Sequence, residues 1–138
     1  MPEFPGEGWV RAFVDAINAS EDYARFAHDW EGDVVIAVEA EPDRSVPEDV
    51  HVLLDLWHGG CRDGGIVDAS RAERAEFLIR APYSRWKDVI EGHLEPIKGL
   101  MQGKLRVRGD LQRILRYVKA TQELAHLTRR VETTFPDD

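Results

Sequence analysis

Leu100–Val118 reads LMQGKLRVRGDLQRILRYV, a strand pattern that runs directly into a helix pattern. Gly103 and Gly109 bracket a short strand, Lys104–Arg108. Leu105 and Val107 alternate there with Lys104, Arg106 and Arg108, which is the period-2 pattern of a strand with one apolar face. Asp110 follows as a helix N-cap, its carboxylate accepting from the first free N–H groups. The helix is expected to run Asp110–Thr128, with Leu111, Ile114, Leu115 and Val118 on one stripe that continues through Leu124, Ala125 and Leu127. A half-buried strand that turns straight into an amphipathic helix must close over an apolar interior.

Upstream, Trp9–Asn18 places Trp9, Phe13 and Ile17 at steps of four, and Ser20 caps a second expected helix, Glu21–Trp30. The aromatic residues of this pair read as core, or Phe26 and Trp30 as walls of a chamber. Asp33–Glu41 is a β-branched strand. Val50–Trp57 carries Val50, Val52, Leu54 and Leu56 on one face and His51, Leu53, Asp55 and Trp57 on the other. Neither face is fully polar, so both are expected to be covered at least in part. Cys61–Val67 returns as a weaker strand, and Ala75–Ala81 is another, stopped by Pro82. Tyr83–Glu91 switches to helical spacing, Gly92 ends it, and Pro96 opens a short helix to Met101. Strands grouped before helices indicate an α+β fold: a five-stranded, mostly antiparallel sheet with helices covering one face.

The 138 residues, 43% of them hydrophobic, suffice for one domain with its own core. Residues 1–8 are expected to form a flexible end. A net charge of −8 argues against a nucleic-acid partner, whose affinity rests on Lys and Arg at the phosphates. One cysteine rules out an internal disulfide framework. MPEFPGEGW does not read as a secretory signal, nor TTFPDD as a peroxisomal address, so the expected location is cytoplasmic.

The combination of LLDLWHG at Leu53–Gly59, AEFLIRA at Ala75–Ala81 and MQGKLRVRGD at Met101–Asp110 resembles the sterol carrier protein 2 (SCP2) family of lipid-transfer domains. Met101, Gly103, Lys104, Leu105, Val107 and Gly109 match its last strand, and the likeness spans roughly residues 30–120. The chain departs from the family at Pro82–Trp86, where an acidic run is usual. The resemblance implies a sheet and helices around an apolar tunnel, with no catalytic residues and no cofactor. It also implies fatty acid, fatty acyl-CoA, phospholipid or sterol as partner, with transient membrane contact. A small enzyme, or an enzyme accessory subunit using the same cavity, is the competing reading.

The residues themselves give a second route to a chamber. Short helices broken at Gly92 and Pro96 pack loosely, and the expected lining is Trp86, Ile90, Leu94, Ile97, Met101, Leu105, Ile114, Leu115 and Val118. Each can equally be plain core. Burying ~10 methylenes at about 0.8 kcal/mol each yields roughly 8 kcal/mol, near micromolar affinity before entropy costs.

Polar constellations point elsewhere less strongly. His51, Asp55, His58 and Cys61 are metal-ligand types without a metal-site spacing, and hydrogen-bonded strand residues are the simpler reading. Glu91, His93 and Glu95 resemble an acid–base group by type only and suit a solvated loop. Lys104, Arg106 and Arg108 are expected to pair with acidic neighbours, or to meet lipid headgroups or a partner.

Overall fold

The computed structural model describes all residues, Met1–Asp138. Its helices are α1 (Glu7–Ala19), α2 (Glu21–Phe26), α3 (Ala69–Glu73), α4 (Tyr83–Glu91), α5 (Pro96–Met101), α6 (Leu111–Leu115) and α7 (Val118–Arg130). Its strands are β1 (Glu31–Glu39), β2 (Val50–Trp57), β3 (Gly60–Val67), β4 (Phe77–Pro82) and β5 (Arg106–Arg108). They form one sheet in the order β3-β2-β1-β4-β5. Three pairings are antiparallel, and β1 with β4 is parallel. The fold is thus the expected α+β class with a mostly antiparallel sheet. No helix is long and apolar enough to cross a membrane.

The two faces of the sheet differ as the alternation in β2 and β4 requires. Val52, Leu54, Leu56 and Phe77 join the main core beneath the helices. Leu53 and Leu78 point the other way, into a smaller cluster with Val35, Ala37, Ala72 and Ala75. That second cluster is covered by α3, a helix with no apolar stripe of its own. Asp68 caps its N-terminus by accepting from the Arg71 N–H, and Arg108 donates to the carbonyls of Ala72, Glu73 and Ala75 at its C-terminal end.

Two expectations are corrected. Residues 1–8 are anchored: Glu3 bridges to Thr134, α1 starts at Glu7, and Phe4 is only 2% exposed among Trp9, Tyr83 and Phe135. One isolated aromatic ring supplies the burial that the surrounding prolines and glycines lack. The helix expected over Asp110–Thr128 is two helices, broken at Arg116–Tyr117. Tyr117 leaves helical geometry, donates its hydroxyl to Asp29 and sets its ring edge-on against Trp30 at 5.0 Å. The break resets the rotational phase of everything after it.

Candidate functional site: an apolar cavity behind the last helix

α7 makes its main contacts with α1, α2, α4, α5 and α6 rather than with any strand. The stripe it turns to the interior is Ala120, Thr121, Leu124, Ala125 and Thr128, at helical spacing and made mostly of small side chains. Opposite stand Val34, Ile36, Val52, Leu54, Leu56 and Ile79 of the sheet. Small residues on one side and a helix held off the sheet by its neighbours leave a gap of about 130 Å³. Of its 25 lining residues, 22 are hydrophobic and none is charged.

Phe4, Trp9 and Phe13 also line the cavity. The Phe4 ring is held by Trp9, 4.8 Å away edge-on, and by Tyr83, stacked at 6.1 Å. Trp30 also lines it, with its indole N–H donated to the Gly32 carbonyl. The Arg113 guanidinium covers Trp30 and Phe77 from outside, at 4.9 and 4.6 Å from their ring centres. Arg113 also pairs with Glu76 at 3.0 Å. Charge therefore sits beside the cavity, and the wall itself is apolar.

A model of the SCP-2 sterol transfer family matches residues 14–122. The chain belongs to the SCP-2 sterol transfer family. A crystal structure of sterol carrier protein 2 is 39% identical, covers 94% of this chain and 99% of its own, and superposes with a TM-score of 0.86. The solution structure of the conserved hypothetical protein TT1886 from Thermus thermophilus, described as possibly a sterol carrier protein, is 37% identical. It covers 97% of this chain and 93% of its own, with a TM-score of 0.85. The apo sterol carrier protein 2 of Yarrowia lipolytica, 17% identical with a TM-score of 0.59 over 88% of this chain and 89% of its own, shares the fold. No curated protein sequence matches significantly.

In this SCP-2 family chain, four of the nine expected lining residues reach the cavity: Trp86, Ile90, Leu105 and Ile114. Trp86 is fixed there by donating its indole N–H to the Ala37 carbonyl at 3.1 Å. Leu94 is buried core and Ile97 packs half-buried against that core, both off the wall. Met101 is 65% exposed, because α5 turns Pro96 and Leu100 inward, one residue out of step with Ile97 and Met101. Leu115 and Val118 flank the helix break and are likewise off the wall. Phe26 is off the wall too, whereas Trp30 is on it. Leu124 and Ala125, expected on the stripe continued past Val118, are on the wall, and Leu127 of the same stripe is off it. Ala120, Thr121 and Thr128 escape sequence reasoning because a void is made by small side chains, which give no hydrophobic peak.

The polar constellations each have local partners. Asp55 takes two hydrogen bonds from Arg62, His58 sits 2.6 Å from Glu31, and the buried Cys61 thiol donates to the Asp63 carbonyl. Glu95 caps α5 through the N–H groups of Ile97 and Lys98. Burial would raise the Glu95 carboxyl pKa, but those N–H groups outweigh it and lower the value. His93 lies exposed, 4.0 Å from Asp88 and 3.9 Å from Glu91. Arg106 pairs with Glu39 at 2.8 Å, as expected for the basic strand face.

Proposed function

We propose that this chain is a non-catalytic carrier that holds one lipid in the cavity behind α7, with residues 1–138 acting as a single lipid-binding domain. The observation that carries the reading is the uncharged, apolar cavity itself. Cavities of comparable volume lined by aliphatic and aromatic side chains stay dry and take up a benzene-sized group. At about 24 cal/mol per Å³, an empty volume of about 130 Å³ costs roughly 3 kcal/mol, which a bound hydrocarbon recovers. A longer fatty acyl chain or a sterol needs more room. α7, which leans on other helices more than on strands, is the element whose outward movement would supply it. Fatty acid, fatty acyl-CoA, phospholipid and sterol all satisfy this chemistry, and a cytoplasmic carrier meeting membranes transiently would collect and release them. Trp86, Ile90, Leu105 and Ile114 are the expected contacts, together with the α7 stripe.

The test is titration of a fluorescent fatty-acid probe, followed by transfer of labelled lipid between donor and acceptor vesicles. The reading expects saturable binding of one probe per chain near micromolar affinity, and transfer that rises with protein concentration. Absence of saturable binding, with transfer no faster than in buffer, would contradict it.

A further inference from the structure

Between α5 and β5 the chain makes a turn unlike the helices around it. Residues 101–104 are all exposed, whereas Leu100 and Leu105 on either side are buried and line the cavity. The turn is held in shape by its own backbone: the Lys104 and Leu105 N–H groups both donate to the Gly99 carbonyl, at 2.9 and 3.0 Å. Gly103 closes it with a φ of +74°, and a Cβ added there would meet nothing within 4 Å. The tip therefore projects from the fold. Met101 is 65% exposed on this tip, and of the large apolar residues only Met1 is more so. A lone exposed methionine would be ordinary surface. Here Lys98 and Lys104 flank it, both exposed and neither in an ion pair. Glu95, the acidic residue nearest in sequence, accepts instead from the Ile97 and Lys98 N–H groups and from Gln122. Residues 96–109 hold Lys98, Lys104, Arg106 and Arg108 and no Asp or Glu, in a chain of net charge −8.

We propose that this tip is the face by which the carrier docks on a bilayer bearing anionic phospholipid, with Met101 entering between the headgroups and Lys98 and Lys104 meeting their anionic groups. This rests on the carrier reading above and supplies the face that brings the cavity to the lipid. An apolar side chain with lysines beside it combines the two forces that hold a protein at an interface, burial of apolar surface and attraction to anionic lipid. The net negative charge of the chain is no obstacle, because exposed charges farther than about 8–10 Å from the headgroups are largely screened at physiological salt. An acidic protein would also pair with the lysines, but the bilayer gives Met101 an acyl layer as well. Leu100 and Leu105, each next in sequence to a docking residue, carry the cavity wall to the bilayer.

The experiment measures sedimentation of the full chain with vesicles of phosphatidylcholine alone and of phosphatidylcholine mixed with phosphatidylserine. Lys98→Gln, Lys104→Gln and Met101→Ser are compared with the native chain. The native chain should sediment with the phosphatidylserine vesicles and stay free of the others, and salt at about 1 M should release it. Each lysine substitution should weaken vesicle binding about fivefold, and Met101→Ser about fivefold or more. Melting near the native temperature verifies that the variants are folded. Binding of the fatty-acid probe without vesicles should be unchanged in all of them, because none of these side chains lines the cavity. Transfer of labelled lipid from phosphatidylserine vesicles should fall in step with vesicle binding. Equal sedimentation with both kinds of vesicle, or binding that the substitutions leave intact, would overturn the docking face. So would a native chain that binds the probe but neither kind of vesicle, the result expected if the tip meets an acidic protein, and the carrier reading would then stand. Tip-dependent vesicle binding without any probe binding has the opposite meaning: it supports the docking face and removes the carrier reading.

Discussion

The Tyr83 hydroxyl donates to Asp137 Oδ1 at 2.7 Å, tying the C-terminal tail to the first residue of α4. Lys87 joins the same carboxylate at 3.0 Å and Arg44 reaches its other oxygen at 3.1 Å. Because Tyr83 also stacks on Phe4, this clamp braces a residue of the cavity wall. Asp137→Asn should lower stability by about 1–2 kcal/mol at neutral pH, since a charge-assisted cluster loses its anion. Chemical denaturation of both chains measures it.

The same carboxylate gives a pH signature. Burial would raise its pKa, but the Tyr83 hydroxyl, Lys87 and Arg44 outweigh that and hold it down at about 2. A value depressed in the folded state gives stability that is full above the unfolded value of 3.8 and is lost as pH falls through about 2. The stability gap between the native chain and Asp137→Asn should therefore be constant above pH ~5 and close between pH ~4 and ~2. A gap that widened as pH fell would contradict the clamp.

Opposite changes to the cavity should separate binding from stability. Ala120→Phe places a ring in the void and should weaken fatty-acid probe binding more than about tenfold while leaving the melting temperature near native. Leu105→Ala enlarges the void and should cost about 2–4 kcal/mol of stability while keeping probe binding. Met101→Ala, at an exposed site, should leave both within about twofold and about 0.5 kcal/mol. Probe titration and melting of the three variants check this.

Gly59 turns β2 into β3 directly against α2. Its φ is +83°, and a Cβ there would lie 2.6 Å from the Ala24 carbonyl oxygen and 2.8 Å from Ala24 Cα. Backbone cannot move aside as a side-chain tip can. Gly59→Ala should cost about 2 kcal/mol or more, the sum of left-handed strain and displacement of α2. Denaturant titration with an unchanged midpoint would show that α2 does not rest on this turn.

Cys61 is 5% exposed, and burial pushes its thiol up to about 11. Near pH ~8 Ellman's reagent should label it slowly in the folded chain and rapidly in guanidinium, because the thiolate is the reacting species. Rapid labelling of the native protein would place the thiol nearer solvent than the structure does.

Local pattern carried much of this architecture. The alternation of Val50–Trp57 and the helical spacing of Tyr83–Glu91 and Pro96–Met101 match β2, α4 and α5 residue for residue. What local pattern could not carry depends on distant partners. α3 is polar and short, and it exists because Asp68 and Arg108 serve its ends over a small apolar cluster. The break at Tyr117 answers to Asp29 and Trp30, far away in sequence, so an unbroken stripe through Leu115 and Val118 is the natural but incorrect reading. The parallel pairing of β1 with β4 is set by topology, which no strand announces by itself.

Native mass spectrometry of the full chain, equilibrated with mixed lipid vesicles and then separated from them, addresses the central claim most directly. The account predicts a dominant species heavier than the bare chain by one lipid, abolished in Ala120→Phe. Bare chain alone, from native protein under conditions that preserve bound lipid, would contradict it.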